Sequence, residues 1–192
     1  MIEHHLHTLD AATERLRLAA LDPSHAPQVL EYFRRNAEFR QPWSPVPPAD
    51  FLTPEHQRTR LEQEWTLMDR GHSLRWWVFG RDDADLAAPL GFVALSNIVR
   101  GAFQSCHLGY EMDGAQLNRG YVTEALRPLI ATAFERLLLH RIEANIMPRN
   151  ARSIRVAEKL GFSYEGLSPR YLRINGVWED HSHYALLNAA LE

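Results

Sequence analysis

A short loop, Asn118-Arg119-Gly120, leads directly into an amphipathic segment that begins at Tyr121. The first turn of a helix offers free backbone N–H groups and the positive end of the helix dipole, so it binds phosphate groups well. Gly120 lets the backbone approach such a ligand, and Arg119 supplies a charged contact. Taken alone, the pattern is also that of an ordinary strand-to-helix turn with no ligand.

A second helix start follows at Asn150, whose amide is suited to capping a helix that ends at Leu160 before a left-handed Gly161. Ser153 lies in the first turn of this helix. Its hydroxyl either supports the cap or donates a proton to a nearby reacting group, and the sequence leaves both roles open.

Titratable side chains that could act as a general base lie on two predicted strands. Glu111 alternates with Tyr110 and Met112, so it points away from the core if those two point into it. It is the first candidate, with a solvated strand carboxylate as the alternative. Asp180 and His181 are second candidates, with an ordinary structural role as the alternative for each.

The ten histidines do not form a recognisable metal-ligand set. His4, His5 and His7 stand near the amino terminus, and His181 and His183 share one face of a strand, but no HExxH or paired CxxC pattern accompanies them. We therefore predict no metal site.

The elements that must position these residues alternate between helical and extended patterns. Extended patterns predict strands at residues 13–21, 74–79, 90–98, 106–112, 141–147, 162–166, 171–174 and 177–186. Periodic apolar residues and caps predict helices at residues 26–36, 53–70, 121–139 and 150–160, and four prolines make residues 41–50 a loop. Pro128 predicts a kink or a broken hydrogen bond within its helix. Asn175-Gly176 predicts a tight hairpin.

The composition is that of a single soluble domain spanning residues 1–192, with residues 1–12 expected to be flexible. Its 192 residues are 45% hydrophobic and 23% charged. The net charge of -3 argues against non-specific nucleic-acid binding. A lone cysteine, Cys106, and the lack of a signal peptide or an apolar membrane span predict a cytoplasmic protein.

Two segments resemble the GNAT acetyltransferases. Residues 119–125 (RGYVTEA) are similar to the coenzyme A pyrophosphate loop of that superfamily, and Asn150 followed by Leu160-Gly161-Phe162 is similar to its second cofactor motif. The resemblance spans residues 15–181 and is strongest to the RimJ-like group, the bacterial ribosomal-protein alanine N-acetyltransferases. The segments that carry this closer match are residues 41–46 (QPWSPV), 96–103 (SNIVRGAF), 107–110 (HLGY), 140–145 (HRIEAN) and 171–172 (YL).

The resemblance implies a mixed α/β fold with a mostly antiparallel, twisted sheet of about seven strands and about four flanking helices. One parallel pair, residues 108–112 and 141–147, is expected to splay apart and admit the pantetheine arm. The cofactor-binding residues implied by the resemblance are Met112, Asn118, Arg119, Gly120, Tyr121, Val122, Thr123, Asn145, Asn150 and Ser153. A backbone N–H near Met112 would face the thioester oxygen, and Ser153 would protonate the departing thiolate.

Three positions depart from the superfamily pattern. Ala115 and Asn118 replace the usual first and fourth residues of the loop, although asparagine tolerates a left-handed backbone. Ala157 stands where many members carry a tyrosine that protonates the leaving thiolate.

The reaction implied is acetyl transfer from acetyl-CoA to the N-terminal α-amine of a protein, a ribosomal protein with N-terminal alanine being one candidate. An α-amine has a pKa of about 7.7–8.0, so it needs a weaker base than a lysine near 10.4. The expected acceptor-binding residues are Trp43, Asn97, Arg100, Tyr171 and Trp178. The alternatives are acetylation of a small amine, or a non-catalytic sensor that only binds acyl-CoA.

Overall fold

The computed structural model describes residues 5–191, which form one open, mixed sheet of eight strands in the order β1-β2-β3-β4-β5-β6-β8-β7. The strands are β1 (Asp10–Ala12), β2 (Leu16–Ala19), β3 (Leu74–Gly80), β4 (Gly91–Val99), β5 (Ser105–Met112), β6 (Arg141–Ile146), β7 (Ser163–Ile174) and β8 (Val177–Leu187). β5 and β6 are parallel, and the other neighbouring pairs are antiparallel. The expected mixed α/β fold is therefore confirmed.

Helices cover both faces of the sheet. The α-helices are α1 (Ala26–Arg35), α2 (Ala37–Arg40), α3 (Pro54–Asp69), α4 (Tyr121–Ala131) and α5 (Ala151–Lys159), and a π-helical turn (Thr132–Arg136) follows α4. Four of these helices were predicted, and α2 is a single extra turn. Within residues 5–191, no helix has both the length and the apolar character needed to cross a bilayer.

Two apolar clusters hold the helices to the sheet, one on each face. On one face Leu126 and Leu129 of α4 pack against Val93 and Leu95 of β4. On the other face Phe33 of α1 and Leu61 of α3 meet Trp77 and Phe79 of β3. Successive residues along β3, and likewise along β4, thus point to opposite faces of the sheet, because side chains alternate along a strand. Burial of these large side chains supplies most of the driving force for packing.

The parallel pair separates along its length. β5 and β6 pair only from Ser105 opposite Arg141 to His107 opposite Glu143, and the remaining residues of β5 have no partner on β6. The far side of β6 is paired with β8, so the opening between β5 and β6 passes through the middle of the sheet. The splay expected from residue 108 onward is confirmed.

The β7–β8 hairpin closes as the sequence predicts. Asn175 and Gly176 both have positive φ, 45° and 82°, which is the backbone shape that matches the twist of a tight hairpin. β7 itself is one bulged strand, whereas the sequence predicted two. The register shifts between Tyr164 and Gly166 and again after Ser168, and these bulges interrupt the alternating pattern without ending the strand.

The amino-terminal residues correct the expectation of a flexible segment over residues 1–12. Leu6 is fully buried, and β1 pairs with β2 as an eighth strand that was not predicted. Two apolar side chains, Leu6 and Leu9, anchor this stretch in the core. Residues 1–4, including His4, lie outside the described residues.

Pro128 lies inside α4. Because proline has no N–H, position 128 donates no hydrogen bond to the carbonyl of Glu124, which agrees with the broken bond that we predicted. The helix then widens into the π-helical turn, where the N–H of Leu137 donates to the carbonyl of Thr132 at 3.0 Å. The predicted single helix over residues 121–139 is therefore two joined segments that end at Arg136.

Candidate active site

The start of α4 forms an open set of backbone donors. Asn118 and Gly120 both adopt left-handed backbone conformations, with φ of 61° and 79°. No side chain caps the helix, and the first hydrogen bond at this end runs from the N–H of Glu124 to the carbonyl of Gly120 at 3.0 Å. The N–H groups of residues 121–123 therefore stay available to an anion.

A cleft of about 220 Å³ lies in front of these donors. Six of the predicted cofactor residues line it: Met112, Asn118, Gly120, Tyr121, Val122 and Thr123. The opposite wall carries three basic side chains of α5, namely Arg152, Arg155 and Lys159. Helix dipole and side-chain charge thus favour the same ligand, a phosphate-bearing molecule.

The three basic residues of α5 were not predicted from the sequence, although their spacing could have revealed them. Their spacing of three and four residues places them on one helix face, and the capped start at Asn150 fixes the direction of that helix. Arg119, by contrast, is not among the residues that line the cleft. Its carbonyl accepts a hydrogen bond from the guanidinium of Arg15 at 3.1 Å, which fixes the loop backbone. The contact of the Arg119 side chain with phosphate stays a prediction.

Arg15 and Glu124 fasten the loop before α4 to the start of β2. The Nε of Arg15 donates to Glu124 at 2.8 Å, and its guanidinium lies 4.8 Å from the centre of the Tyr121 ring. Burial opposes ionisation of Glu124, but hydrogen bonds from Thr13 and Arg15 outweigh it and hold the pKa of the carboxyl below its usual range. The carboxylate is thus charged at neutral pH and braces the helix start.

A second cavity of about 120 Å³ continues from the phosphate cleft toward the sheet. Asn150 caps α5 as predicted, because its Oδ1 accepts from the N–H of Ser153 at 3.2 Å. The hydroxyl of Ser153 makes no hydrogen bond within residues 5–191 and lines this cavity. Tyr110 donates to the carbonyl of Ser153 at 3.2 Å, and burial raises the pKa of Tyr110 to about 12.

The opening between β5 and β6 forms a third cavity of about 240 Å³. It shares Tyr110, Glu111, Asn150 and Ser153 with the second cavity, which in turn shares Met112 and other residues with the phosphate cleft. The three spaces therefore adjoin one another between the start of α4 and the splay, and the three together are called the channel. Leu172 and Ile174 of β7 line its far side.

The backbone of Met112 is directed into this opening. The N–H of Asp113 donates to the carbonyl of Leu90 across the β4–β5 edge at 2.8 Å. Because successive N–H groups of a strand point to opposite edges, the N–H of Met112 points toward the separated β6. The family resemblance predicted a hydrogen-bond donor to the thioester oxygen near Met112. The N–H of Met112 lies there and has no partner on a neighbouring strand.

Glu111 lies on the sheet face opposite Tyr110 and Met112, as alternation predicts. Its carboxylate accepts from the Nε of Arg40 at 2.7 and 2.8 Å and from the hydroxyl of Tyr32 at 2.9 Å. The side chains of Arg40 and Glu111 are each 16% exposed. Glu111 is therefore a half-buried, ion-paired carboxylate rather than a solvated one.

His181 lines the splay and is only 3% exposed. Its Nδ1 lies 3.0 Å from the carbonyl of Glu179, and a carbonyl can only accept, so in the neutral ring Nδ1 carries the proton and Nε2 keeps its lone pair. Asp180 alternates to the other face, where it accepts from the N–H of Arg170 at 2.8 Å. Of these two second candidates, only His181 lies at the channel.

Asn145 also lines the splay, but its side chain belongs to the face that carries Glu143 and Arg141. Its Oδ1 lies 2.6 Å from Nδ1 of His183, whose Nε2 lies 2.8 Å from the hydroxyl of Ser168. This chain of hydrogen bonds fixes the amide at the acceptor side of the opening.

Two of the five expected acceptor residues lie near the channel. Trp43 lines it directly and stacks under Arg149, whose guanidinium is 4.8 Å from the ring centre. Tyr171 contacts His181, with ring centres 5.7 Å apart.

The structure does not bring the other three expected residues to the channel. Asn97 hydrogen-bonds His107 at 3.2 Å, and the guanidinium of Arg100 donates to the carbonyl of Leu137. The antiparallel register places both near the start of β5, at the end away from the splay. Trp178 is 59% exposed and pairs with Arg173 on the opposite face from Leu172, because alternate residues of a strand point in opposite directions.

The single cysteine is not part of the site. Cys106 is buried in the core, where burial and the nearby Glu143 raise its pKa to about 12. A thiol in this state has almost no thiolate at neutral pH, so it is not an acyl-accepting nucleophile. Ala157 is likewise buried, at 3% exposed, and its position offers no hydroxyl to the channel.

The chain matches the family model of the acetyltransferase (GNAT) domain over residues 15–163. It is 39% identical over 168 residues to YjcK, a probable N-acetyltransferase of Bacillus subtilis, covering 88% of this chain and 91% of that protein. It is 33% identical over 174 residues to the ribosomal protein uS5 alanine N-acetyltransferase of Escherichia coli, covering 91% of this chain and 88% of the relative.

The crystal structure of a ribosomal-protein-S5-alanine acetyltransferase from Vibrio fischeri superposes with a TM-score of 0.89 at 33% identity. The match covers 96% of this chain and 99% of that one. The chain therefore belongs to the GNAT acetyltransferase family and is an acetyl-CoA-dependent N-acetyltransferase related to the ribosomal-protein acetyltransferases.

Proposed function

We propose that this enzyme acetylates the N-terminal α-amine of a protein, a ribosomal protein with N-terminal alanine being the first candidate. The observation that carries the proposal is the channel through the sheet, which joins the phosphate cleft at α4 to His181 and Asn145 beyond the splay. The relative from Escherichia coli named for alanine acetylation of ribosomal protein uS5 supports the choice of acceptor.

In this proposal the diphosphate of acetyl-CoA binds the N–H groups of residues 121–123, with Gly120 and Asn118 shaping the loop. Arg152, Arg155 and Lys159 neutralise the phosphate charges from the other wall of the cleft. The pantetheine arm then passes Asn150 and enters the space where β5 and β6 part. There it can hydrogen-bond to strand edges that have lost their partners.

The acetyl group is placed beside the N–H of Met112. The neutral amine attacks the thioester carbon, and the oxyanion that forms accepts a hydrogen bond from this N–H. As the oxyanion collapses and the carbon–sulfur bond breaks, the hydroxyl of Ser153 gives a proton to the thiolate of coenzyme A. The proton taken from the amine then returns to Ser153 through solvent, which restores the hydroxyl. Transfer is direct, since the buried Cys106 offers no thiolate for an acyl intermediate.

The base that accepts the amine proton is assigned to His181, with Glu111 as the competing assignment. Nε2 of His181 has a lone pair available, and the ring lines the channel. The oxygens of Glu111 already accept three hydrogen bonds from Arg40 and Tyr32. In this assignment Glu111 holds Arg40 and Tyr32 at the acceptor side, and His181 acts directly or through one water.

Acetylation of a small-molecule amine is the second candidate, and one cavity favours it. A space of about 400 Å³ lies on the acceptor side next to Arg40. Its walls include Phe33, Val46, Phe51 and Leu52, which give it the apolar character of a site for a compact ligand.

A thiol-release assay with acetyl-CoA separates these candidates. The acceptors are a peptide with a free N-terminal alanine, the same peptide with an acetylated N-terminus and one internal lysine, and a panel of small amines that includes polyamines. We expect turnover with the free N-terminus and at least about 100-fold less with the lysine, because far less lysine is neutral at pH 7. Turnover restricted to small amines would select the second candidate. Binding of coenzyme A without any transfer would indicate an acyl-CoA sensor.

A further inference from the structure

A group of metal-ligating side chains lies far from the channel, at the junction of the amino-terminal segment and the end of α3. One ring nitrogen of His5, one of His7 and a carboxylate oxygen of Asp69 all lie within 4.8 Å of one another. His5 and Asp69 are 64 positions apart in the chain. The sequence pattern could not reveal this cluster, because only the fold brings Asp69 to the two histidines.

The cluster is held in place by its surroundings. Leu6, between the two histidines, is fully buried, and Trp65 of α3 stacks on the ring of His7 with centres 4.3 Å apart. The side chain of His7 is only 16% exposed. The imidazole of His7 is therefore positioned by packing, whereas that of His5 is 66% exposed and is held by its contact with Asp69.

One of the three ligand atoms is unsatisfied. Nδ1 of His7 is buried without a hydrogen-bond partner and lies 3.8 Å from Oδ1 of Asp69, while Nδ1 of His5 lies 2.5 Å from the same oxygen. If Nδ1 of His7 carries a proton, its N–H has no acceptor within reach. If Nδ1 of His7 carries no proton, its lone pair faces the carboxylate of Asp69. Both protonation states therefore cost free energy. A cation among the three atoms removes both problems.

The charge and ligand chemistry favour a divalent first-row metal. Asp69 is the last residue of α3, a helix of 16 residues whose carboxyl end carries partial negative charge. Two imidazole nitrogens and one carboxylate oxygen suit Zn²⁺ and other divalent first-row transition metals better than Mg²⁺, which prefers oxygen ligands. Bond lengths of about 2.0–2.2 Å require only small side-chain movements from the present spacing.

We propose that His5, His7 and Asp69 bind one Zn²⁺ ion or a similar divalent transition metal and thereby fasten the amino-terminal segment to the end of α3. The site is independent of acetyl transfer. It has three protein ligands, which leaves a coordination position for water.

The test uses the full-length protein without an affinity tag, stripped of metal with a chelator and titrated with Zn²⁺ by calorimetry. We expect saturable binding of one ion per chain and a rise in Tm on saturation, because the ion binds only the folded state. Asp69→Asn should weaken the affinity by more than about tenfold, since the loss even of an outer-shell partner costs about 10–100-fold. Mg²⁺ should give neither binding nor a rise in Tm.

The matched control is His56→Gln. Nδ1 of His56 lies 3.2 Å from Asp50, so the two form another histidine–aspartate pair, but no other histidine joins it within the described residues. Its replacement should leave Zn²⁺ affinity unchanged. A lack of saturable binding overturns the proposal, as does Zn²⁺ affinity that is the same in wild type, Asp69→Asn and His5→Gln. Equal binding of Mg²⁺ would also overturn it.

Discussion

At the scale of single residues, Ser153 is the clearest test of the assigned chemistry. The cap of α5 uses its backbone N–H and leaves the hydroxyl unengaged. Ser153→Ala therefore keeps the fold and removes only the proton donor. We expect kcat to fall by about 100-fold, the lower end for general acid catalysis, while the Kd for coenzyme A changes less than about twofold.

The comparison variant is Ser163→Ala, an exposed serine at the start of β7. Stopped-flow thiol release and calorimetry on both variants separate turnover from binding. An unchanged kcat for Ser153→Ala would remove Ser153 from the mechanism.

His181 and Glu111 are distinguished by pH. At neutral pH His181→Gln should lower kcat/KM by about 100-fold or more, the usual contribution of a general base. Near pH 9 most of an α-amine is neutral without help, so the defect should shrink. Glu111→Gln loses the ion pair with Arg40, and its defect should not depend on pH. If the defect of Glu111→Gln shrinks near pH 9 and that of His181→Gln does not, the roles are reversed.

Residue-level prediction succeeded where a role follows from local geometry. The cap at Asn150, the left-handed Asn118 and the face of Glu111 all follow from alternation or helix-end rules that operate within a few residues. It did not place Arg100 and Trp178, because the sequence shows that such side chains suit a binding site but not which end or face of the sheet they occupy.

At the scale of elements, the end of β5 depends on a close contact with β4. A Cβ added at Gly91 would lie 2.3 Å from the carbonyl oxygen of Glu111, a backbone atom that cannot move without displacing Met112. Gly91→Ala should lower the free energy of unfolding by about 1–3 kcal/mol and raise the KM for acetyl-CoA, because the splay changes shape.

Gly80→Ala is the control for this prediction. Gly80 ends the neighbouring β3, and a Cβ there meets nothing within 4 Å. Urea unfolding should place Gly80→Ala within about 0.5 kcal/mol of wild type. Equal stability and an equal KM for Gly91→Ala and Gly80→Ala would contradict the assigned role of this contact.

The basic face of α5 is predicted to recognise phosphate. The double variant Arg155→Ala/Lys159→Ala should raise the Kd for coenzyme A by roughly tenfold and reduce its dependence on salt, since two charged contacts are lost. Arg127→Ala is the control, because Arg127 is exposed on α4 and does not line the cleft. Calorimetry at two salt concentrations measures both effects, and an unchanged Kd in the double variant would contradict the phosphate assignment.

Most elements followed from the sequence because each carries its own signal. Caps and periodicity marked α3 and α5 to within a residue or two, and Asn175-Gly176 marked the hairpin. β1 was missed because Asp10–Ala12 is too short and polar to show alternation, and its pairing with β2 alone makes it a strand.

At the scale of the whole molecule, function depends on the gap between two strands of the sheet. β5 and β6 separate after three paired residues each, which opens a passage from the face covered by α4 to the acceptor face. The phosphate site and the acceptor side belong to different faces, and the passage joins them. Sequence patterns assign residues to faces but do not show a gap between strands, so the splay was expected only from family resemblance.

A crystal structure of the acetyl-CoA complex tests this account most directly. It should place the diphosphate oxygens within about 3.2 Å of the N–H groups of residues 121–123, and the thioester oxygen within the same distance of the N–H of Met112. The pantetheine arm should lie between β5 and β6. A diphosphate bound away from the start of α4, or an acetyl group outside the splay, would contradict the central claim.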